Sequence, residues 1–485
     1  IANPLDYHTF IWGDGPRTTD VFTTMLAGYD AGIFIIDPPR PDRCDPASFA
    51  PAIEAIVAGC GGGTTYKLPA SARLLSTAGG QKIAQPGWTV RVDPDIQPAK
   101  EWTVLIYMNG ANDLETYGLL NTNQLEQSGS TEDINFVVQY KRFAGRYDNS
   151  DGDWGDTRRF YVDRANDPTQ IESTLISQHN GVDMGDKSRL SEFIQWGVTT
   201  FPARRYCLVL WNHGAGWRSV KSVKKVTRGL SYDDVTGNHI DTIDLPGAMS
   251  HPSGRMWDLL VMDCSLMQMT EVIYELRNKA EYIVGSQESP PGEGLPYDAF
   301  ARTLVRTPSI QTKDLAVDLV TQTINRYGTL SNTTQSVIDT SQVALLSQYL
   351  DNLGVALLSA SDTYGTAISD SRALAESYAY AENKDLLDFI DLLTDRDAQG
   401  NFYIPDPDVQ AAAVALRTAV KAVIVKNVNG AQHPRSQGLA IYLPTPIRFR
   451  SIDIEQANGF GQRYKELALA KAAPNWMAFL ENGPR

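Results

Sequence analysis

The chain has no run of 18 or more apolar residues, which excludes a membrane span read from an unbroken hydrophobic stretch. It has no excess of basic residues. Its 43 Lys and Arg face 57 Asp and Glu, a net charge of −14, which argues against a nucleic-acid partner and mildly favours basic ones. Cysteine is scarce, and the spacing of Cys44, Cys60, Cys207 and Cys264 fits no zinc pattern. There is no G-x-S-x-G elbow, no EF-hand-like loop, no internal repeat and no low-complexity tract. What is present is an apolar fraction of 42%, ordinary for a soluble globular chain, spread over 485 residues. That length is too great for one ordinary core, so a large α/β domain with additions, or two to three domains, is expected.

The first part of the chain differs from the rest. Residues 1–98 are rich in Gly, Pro and Asp, with helical patches at 18–29 and 46–59 and a strand-like Trp88–Val92. This reads as an N-terminal extension, an accessory domain or a pro-domain, ending in the linker DPDIQPAKE. Cys44 and Cys60 flank the second patch and are equally open to a disulfide or to two free thiols. The opening on Ile1 rather than Met points to a processed or truncated start.

From Trp102 the pattern changes. Trp102–Met108 is a buried-strand run, Asn109–Asp113 a turn, and Leu114–Gln127 a helix. Strands at Ile134–Tyr140 and Arg158–Val162 and a helix at Ser188–Thr200 follow, an alternation that argues for βαβ units and a parallel sheet. Two later strands carry the working residues. Tyr206–Trp211 (YCLVLW) stops on Asn212, His213 and Gly214; the run WDLLVMD from Trp257 stops on Cys264 and Ser265, with a helix expected over Leu266–Lys279. Apolar runs of this kind are buried on both faces, and an open α/β sheet keeps its working groups where such strands end. Between them lies a polar insert, Arg218–His251, whose first part places Arg218, Lys221, Lys224, Lys225 and Arg228 in an exposed loop open to a trypsin-like or self-inflicted cut. Beyond a strand at Tyr282–Ser286, helices are expected at 310–327, 340–360, 371–395 and over Val409–Val428, with a last strand in Gly438–Leu443.

A His after one strand and a Cys or Ser some fifty residues later, after the next, is a spacing used by cysteine peptidases. Taken alone, the same residues equally suit a structural histidine, a small buried thiol at Cys264 and a helix N-cap at Asp263. The surrounding words go further. YCLVLWNHGAGW (Tyr206–Trp217), DCSLMQMTEVIYEL (Asp263–Leu276) and VGSQESPPGEGLPYD (Val284–Asp298) resemble the clostripain family of cysteine peptidases. So do WTVLIYMNGANDLE (Trp102–Glu115), VDMGDKSRLSEFIQW (Val182–Trp196) and QGLAIYLP (Gln437–Pro444), in the family's order.

The resemblance implies a caspase-like α/β/α sandwich with a mostly parallel sheet: a catalytic core over 99–305, then a helical C-terminal region over 306–485 that closes back onto the sheet with a strand near 438–443. It implies an endopeptidase cutting protein or peptide chains after Arg or Lys, made as a precursor and activated by self-cleavage within 218–228. His213 would assist the nucleophile, and the backbone N–H groups of Gly214 and residue 265 would hold the oxyanion. Asp263, with Glu288 and Glu293 as secondary candidates, would receive the basic side chain. The resemblance covers roughly residues 100–450, and one departure from the family matters most. Where the family has Asp, a small residue and then the nucleophilic Cys, the gap-free register gives Asp263, Cys264 and Ser265. Strand alternation agrees, because residues 263 and 265 share a face and Cys264 points away. Ser265 is thus expected at the nucleophile position, as an engineered change or a natural loss. The alternative function is a caspase-like binding module without catalysis. No cofactor is required. Calcium, on which some family members depend, would find acidic loop residues at Asp113, Asp233 and Asp234. No nucleic acid or membrane partner is expected, the chain acting as a monomer or a self-cleaved two-chain form. The expected location is extracellular, periplasmic or on a bacterial cell surface.

Overall fold

The computed structural model describes residues 99–485 except positions 219, 222–225, 228, 330 and 458–461. Before residue 99 it describes only the strands Phe22–Met25, Ile33–Asp37, Thr65–Lys67, Arg73–Ser76 and Thr89–Arg91. The first three-stranded set pairs Phe22–Met25 and Arg73–Ser76 on either side of Ile33–Asp37, and Thr65–Lys67 pairs with Thr89–Arg91. Phe22–Met25 is therefore a strand inside the patch expected to be helical. The second helical patch, Cys44 and Cys60 lie outside the described residues. Residues 1–100 and 101–485 form two separate compact units.

The second unit is built on a nine-stranded sheet. Its strands are β1 (Lys100–Asn109), β2 (Ile134–Lys141), β3 (Thr157–Tyr161), β4 (Thr174–His179), β5 (Ala203–Trp211), β6 (Trp257–Asp263), β7 (Ala280–Gly285), β8 (Thr334–Asp339) and β9 (Ile424–Asn429). The spatial order is β9-β8-β7-β6-β5-β1-β2-β3-β4. The pairs β1–β2, β5–β6 and β6–β7 are parallel, and antiparallel strands close both edges. The central strands are apolar on both sides because each side faces a core. Leu208, Leu210, Leu260, Met262 and Cys264 pack into one cluster, and Cys207, Val209, Trp211, Leu259 and Val261 into the other. This alternation fixes which residue at the strand ends faces which way.

Helices α1 (Glu115–Glu126), α2 (Lys187–Thr200), α3 (Thr270–Leu276), α4 (Tyr297–Arg306) and α5 (Thr312–Tyr327) surround the sheet. Two corrections concern the C-terminal part. The expected 340–360 helix is the first part of α6 (Val343–Leu374), which continues past a kink at Tyr364, and the expected 371–395 helix is broken into the end of α6, a short strand Asn383–Asp385 and α7 (Leu386–Leu393). The Val409–Val428 helix stops early: α8 (Pro407–Val423) gives way to β9, and β9, not the 438–443 segment, joins the main sheet. Ala440–Tyr442 pairs with Asn383–Asp385 in a separate two-stranded ribbon. By length and composition α6 could cross a membrane, but half of its apolar window is buried inside the protein, as in a core helix.

Candidate active site

Register builds the site. β5 and β6 run parallel with Trp211 beside Asp263, each the last residue of its strand. Two residues further on, His213 and Ser265 leave the same edge, and all four line one cavity of about 260 Å³. Its far wall is Ser289, Pro290, Pro291, Gly292 and Gly294, the loop after β7. Trp211 is fixed by donating its indole N–H to Asn121 Oδ1 at 2.8 Å, and Asn121 Nδ2 reaches the Glu293 carbonyl at 2.8 Å.

Ser265 sits on a tight turn. Leu266 has φ of +64°, the left-handed region that a branched side chain rarely adopts. The conformation costs on the order of 1–2 kcal/mol. It is held by Leu266 N–H to Glu288 O at 3.3 Å and Gln268 N–H to Ser286 O at 3.0 Å. Gly214 packs on the carbonyl of Ser265, where a Cβ would lie 2.4 Å from the oxygen, so no larger residue fits without movement. Cys264 points the other way, 1% exposed, with Sγ donating to the Leu210 carbonyl at 3.0 Å. Burial pushes its thiol well above the ordinary range, the opposite of an activated nucleophile.

Asp263 forms the floor. Tyr297 Oη donates to Oδ2 at 2.8 Å and Leu295 N–H at 3.2 Å. Burial pushes the carboxyl up to about 6, against the pull of those two donors. At Gly294 (φ +71°) a Cβ would lie 2.7 Å from Asp263 Oδ2, so glycine lets the loop close over the acid. His213 is half-exposed, its Nε2 lying 2.6 Å from Asp113 Oδ1 at the end of the turn after β1. Its neighbour Asn212 accepts from Tyr232 N–H at 2.7 Å and donates to the carbonyl of Asn109, tying the ends of β5 and β1 to the strand Leu230–Asp233.

His213, Gly214, Asp263 and Ser265 are thus brought together, and Cys264 is not. Glu288 is buried outside the cavity lining, accepting from Ser289 N–H at 2.6 Å with His433 Nε2 3.4 Å away, because its turn is occupied in holding the 265–268 backbone. Glu293 is exposed, and the glycines on either side of it, rather than its carboxylate, line the cavity. Arg218, expected in an exposed loop, is 4% exposed: Nη2 lies 3.2 Å from Glu382 Oε2 and the guanidinium stacks 4.5 Å over Tyr380. Lys221 lies in Val220–Lys221, paired with Val226–Thr227; Lys224, Lys225 and Arg228 lie outside the described residues. The three acids considered for calcium are separated by their contacts. Asp113 faces His213, Asp233 forms a buried 2.6 Å ion pair with Lys141, and Asp234 accepts from Tyr147 Oη at 3.0 Å. The contact of Asp113 with His213 and the closing role of the Pro290–Gly292 wall were not legible in the sequence; the turn Asn112-Asp113 at a strand end was the one available signal.

A sandwich on a mostly parallel sheet, with His213 and Ser265 just beyond the ends of adjacent parallel strands and beside a buried acid, is a caspase-like fold. The sequence model of the clostripain family matches residues 106–482, and the chain belongs to that family of cysteine peptidases. Clostripain of Hathewaya histolytica is 27% identical over 219 residues, 40% of this chain and 40% of that protein, so the chain spans well under half the length of this relative in the match. Among solved structures, a secreted C11 cysteine protease of Bacteroides thetaiotaomicron bound to an irreversible peptide inhibitor aligns with a TM-score of 0.54 at 19% identity, covering 77% of this chain and 99% of that one. An inactive zymogen C11 protease of Parabacteroides distasonis aligns with a TM-score of 0.54 at 19% identity, covering 78% and 99%. These two likenesses establish the fold.

Proposed function

We propose that the site is that of an endopeptidase cutting after Arg or Lys, with Ser265 standing at the nucleophile position and silencing this form. The observation that carries the reading is the Trp211–Asp263 register, which brings His213 and Ser265 to one cavity floored by a buried carboxylate. A carboxylate at that depth suits a cationic side chain through charge-assisted hydrogen bonds. With Cys at 265, His213 takes the thiol proton and the sulfur attacks the carbonyl after the basic residue. The oxyanion that forms meets the N–H groups of Gly214 and residue 265. The C–N bond then breaks, His213 protonates the leaving amine, and water releases the acyl group. A serine alcohol, unlike a thiol ionising near ~8.5, is not ionised by such a dyad alone.

Self-cleavage would fall within 218–228, next to Arg218 on Glu382 and Tyr380 and to the Ala215 N–H to Gly229 O bond at 3.1 Å. Action outside the cytoplasm fits the secreted protease among the structural likenesses. The test is Ser265→Cys, assayed on Arg, Lys and neutral peptides while a gel follows the chain. Turnover of the basic peptides with a new cut in 218–228 supports the reading. An absence of both turnover and cut favours a non-catalytic binding module, the reading that Ser265 itself supports.

A further inference from the structure

We propose that Asp113 is a positioning residue for His213, making the catalytic set three-membered: residue 265, His213 and Asp113. Asp113 Oδ1 is 2.6 Å from His213 Nε2, within hydrogen-bond reach. A carboxylate can only accept, so Nε2 carries the hydrogen in this pair. The ring then keeps Nδ1 as its unprotonated nitrogen, the one left to accept a proton, in a ring that lines the same cavity as Ser265. The arrangement follows the logic of an orienting acid behind an imidazole base. The acid fixes tautomer and ring orientation and stabilises the imidazolium formed when residue 265 is deprotonated.

The contact is built rather than incidental. Asp113 ends a turn whose other residues are locked. Ala111 N–H donates to Asn109 Oδ1 at 3.2 Å, Leu114 N–H to Asn112 Oδ1 at 3.0 Å, and Asn112 Nδ2 to the Tyr232 carbonyl at 2.8 Å. The same Tyr232 lies edge-on to the His213 ring, centroids 6.2 Å apart, and its backbone is bonded to Asn212. One cluster of hydrogen bonds therefore fixes the acid, the ring and the strand end that carries the ring. Asp113 is half-exposed, so replacing it disturbs no core.

The inference rests on the function proposed above only for its kinetic arm. In the chain as it stands, with Ser265, ring-nitrogen NMR of His213 is expected to show hydrogen on Nε2, and Asp113→Ala and Asp113→Asn are expected to change the tautomer balance. In Ser265→Cys, Asp113→Asn is expected to lower kcat by on the order of 10²-fold, with KM within about twofold. Asp113→Glu should recover part of the loss. An unchanged tautomer, or an unchanged kcat in both Asp113 variants, overturns the proposal. If Ser265→Cys has no turnover, the peptidase reading falls and the NMR arm alone decides the role of Asp113.

Discussion

At the scale of single residues, the site turns on which side chain faces which core. Cys264 fills a pocket against Leu210 on one side of the sheet, and Asp263 faces the cavity on the other. Cys264→Ala is therefore expected to cost about 1–2 kcal/mol of stability and to leave the activity of Ser265→Cys intact; urea unfolding and peptide turnover on the double variant check both. Asp263 is expected to set specificity. Asp263→Asn should weaken turnover of Arg and Lys peptides by about 10–100-fold, the worth of one charged hydrogen bond, while neutral peptides are unaffected. Because the carboxyl is pushed up to about 6, it gains a proton as pH falls through that value and loses its attraction for a cation. KM for Arg peptides should then rise below pH 6, and a KM flat from pH 7 to 5 would contradict the assignment.

At the scale of elements, two strand ends and three loops make the site, and only the strands announce themselves. β1, β2, β5, β6 and β7 are legible because apolar residues on both faces leave no other economical fold for the run. The strand Asn383–Asp385 is not. It is three polar residues whose burial comes from pairing with Ala440–Tyr442, far along the chain, so its segment reads as part of a helix. β9 hides for a different reason: α8 runs straight into it, and the β-branched Val423, Ile424 and Val425 are the only local sign of the change. The insert after β5 is legible as polar but not as anchored, since the partner of Arg218 lies 164 residues away. Glu382 also holds Arg448 Nε at 2.6 Å, so it is the shared anchor of two cations. Glu382→Ala is expected to release the loop and speed trypsin nicking within 219–228 by several-fold, read on a gel. Unchanged nicking would show that the ion pair does not hold the loop.

At the scale of the whole molecule, the fold stores several carboxyls away from water. Burial raises Asp263 to about 6, Glu271 to about 7 and Asp385 to about 7. Each therefore binds a proton more tightly in the folded chain than in the unfolded one. Their contribution to stability is fully present below the ordinary carboxylate range of about 4 and is lost progressively as pH rises from there to the folded values of about 6 to 7. Thermal melts are expected to fall across that window. Glu271 makes the point separately. Its Oε1 accepts from Tyr442 N–H at 3.0 Å and Tyr464 Oη at 3.1 Å, while Oε2 is buried without a partner. Glu271→Gln keeps the accepting oxygen and removes the titration, so its melting temperature relative to the parent should rise between pH 4 and pH 8, with the larger part of the gain above pH 5. A difference that stays flat from pH 4 to pH 8 would contradict burial as the cause.

The central claim is that residue 265, and not Cys264, is the nucleophile position. Its most direct measurement is mass mapping of the adduct formed by an irreversible, thiol-directed peptide with Arg at its reactive end. The account predicts no adduct in the chain as it stands, and an adduct on residue 265 in both Ser265→Cys and its Cys264→Ala double variant. An adduct on Cys264, or none on residue 265 of Ser265→Cys, would contradict it.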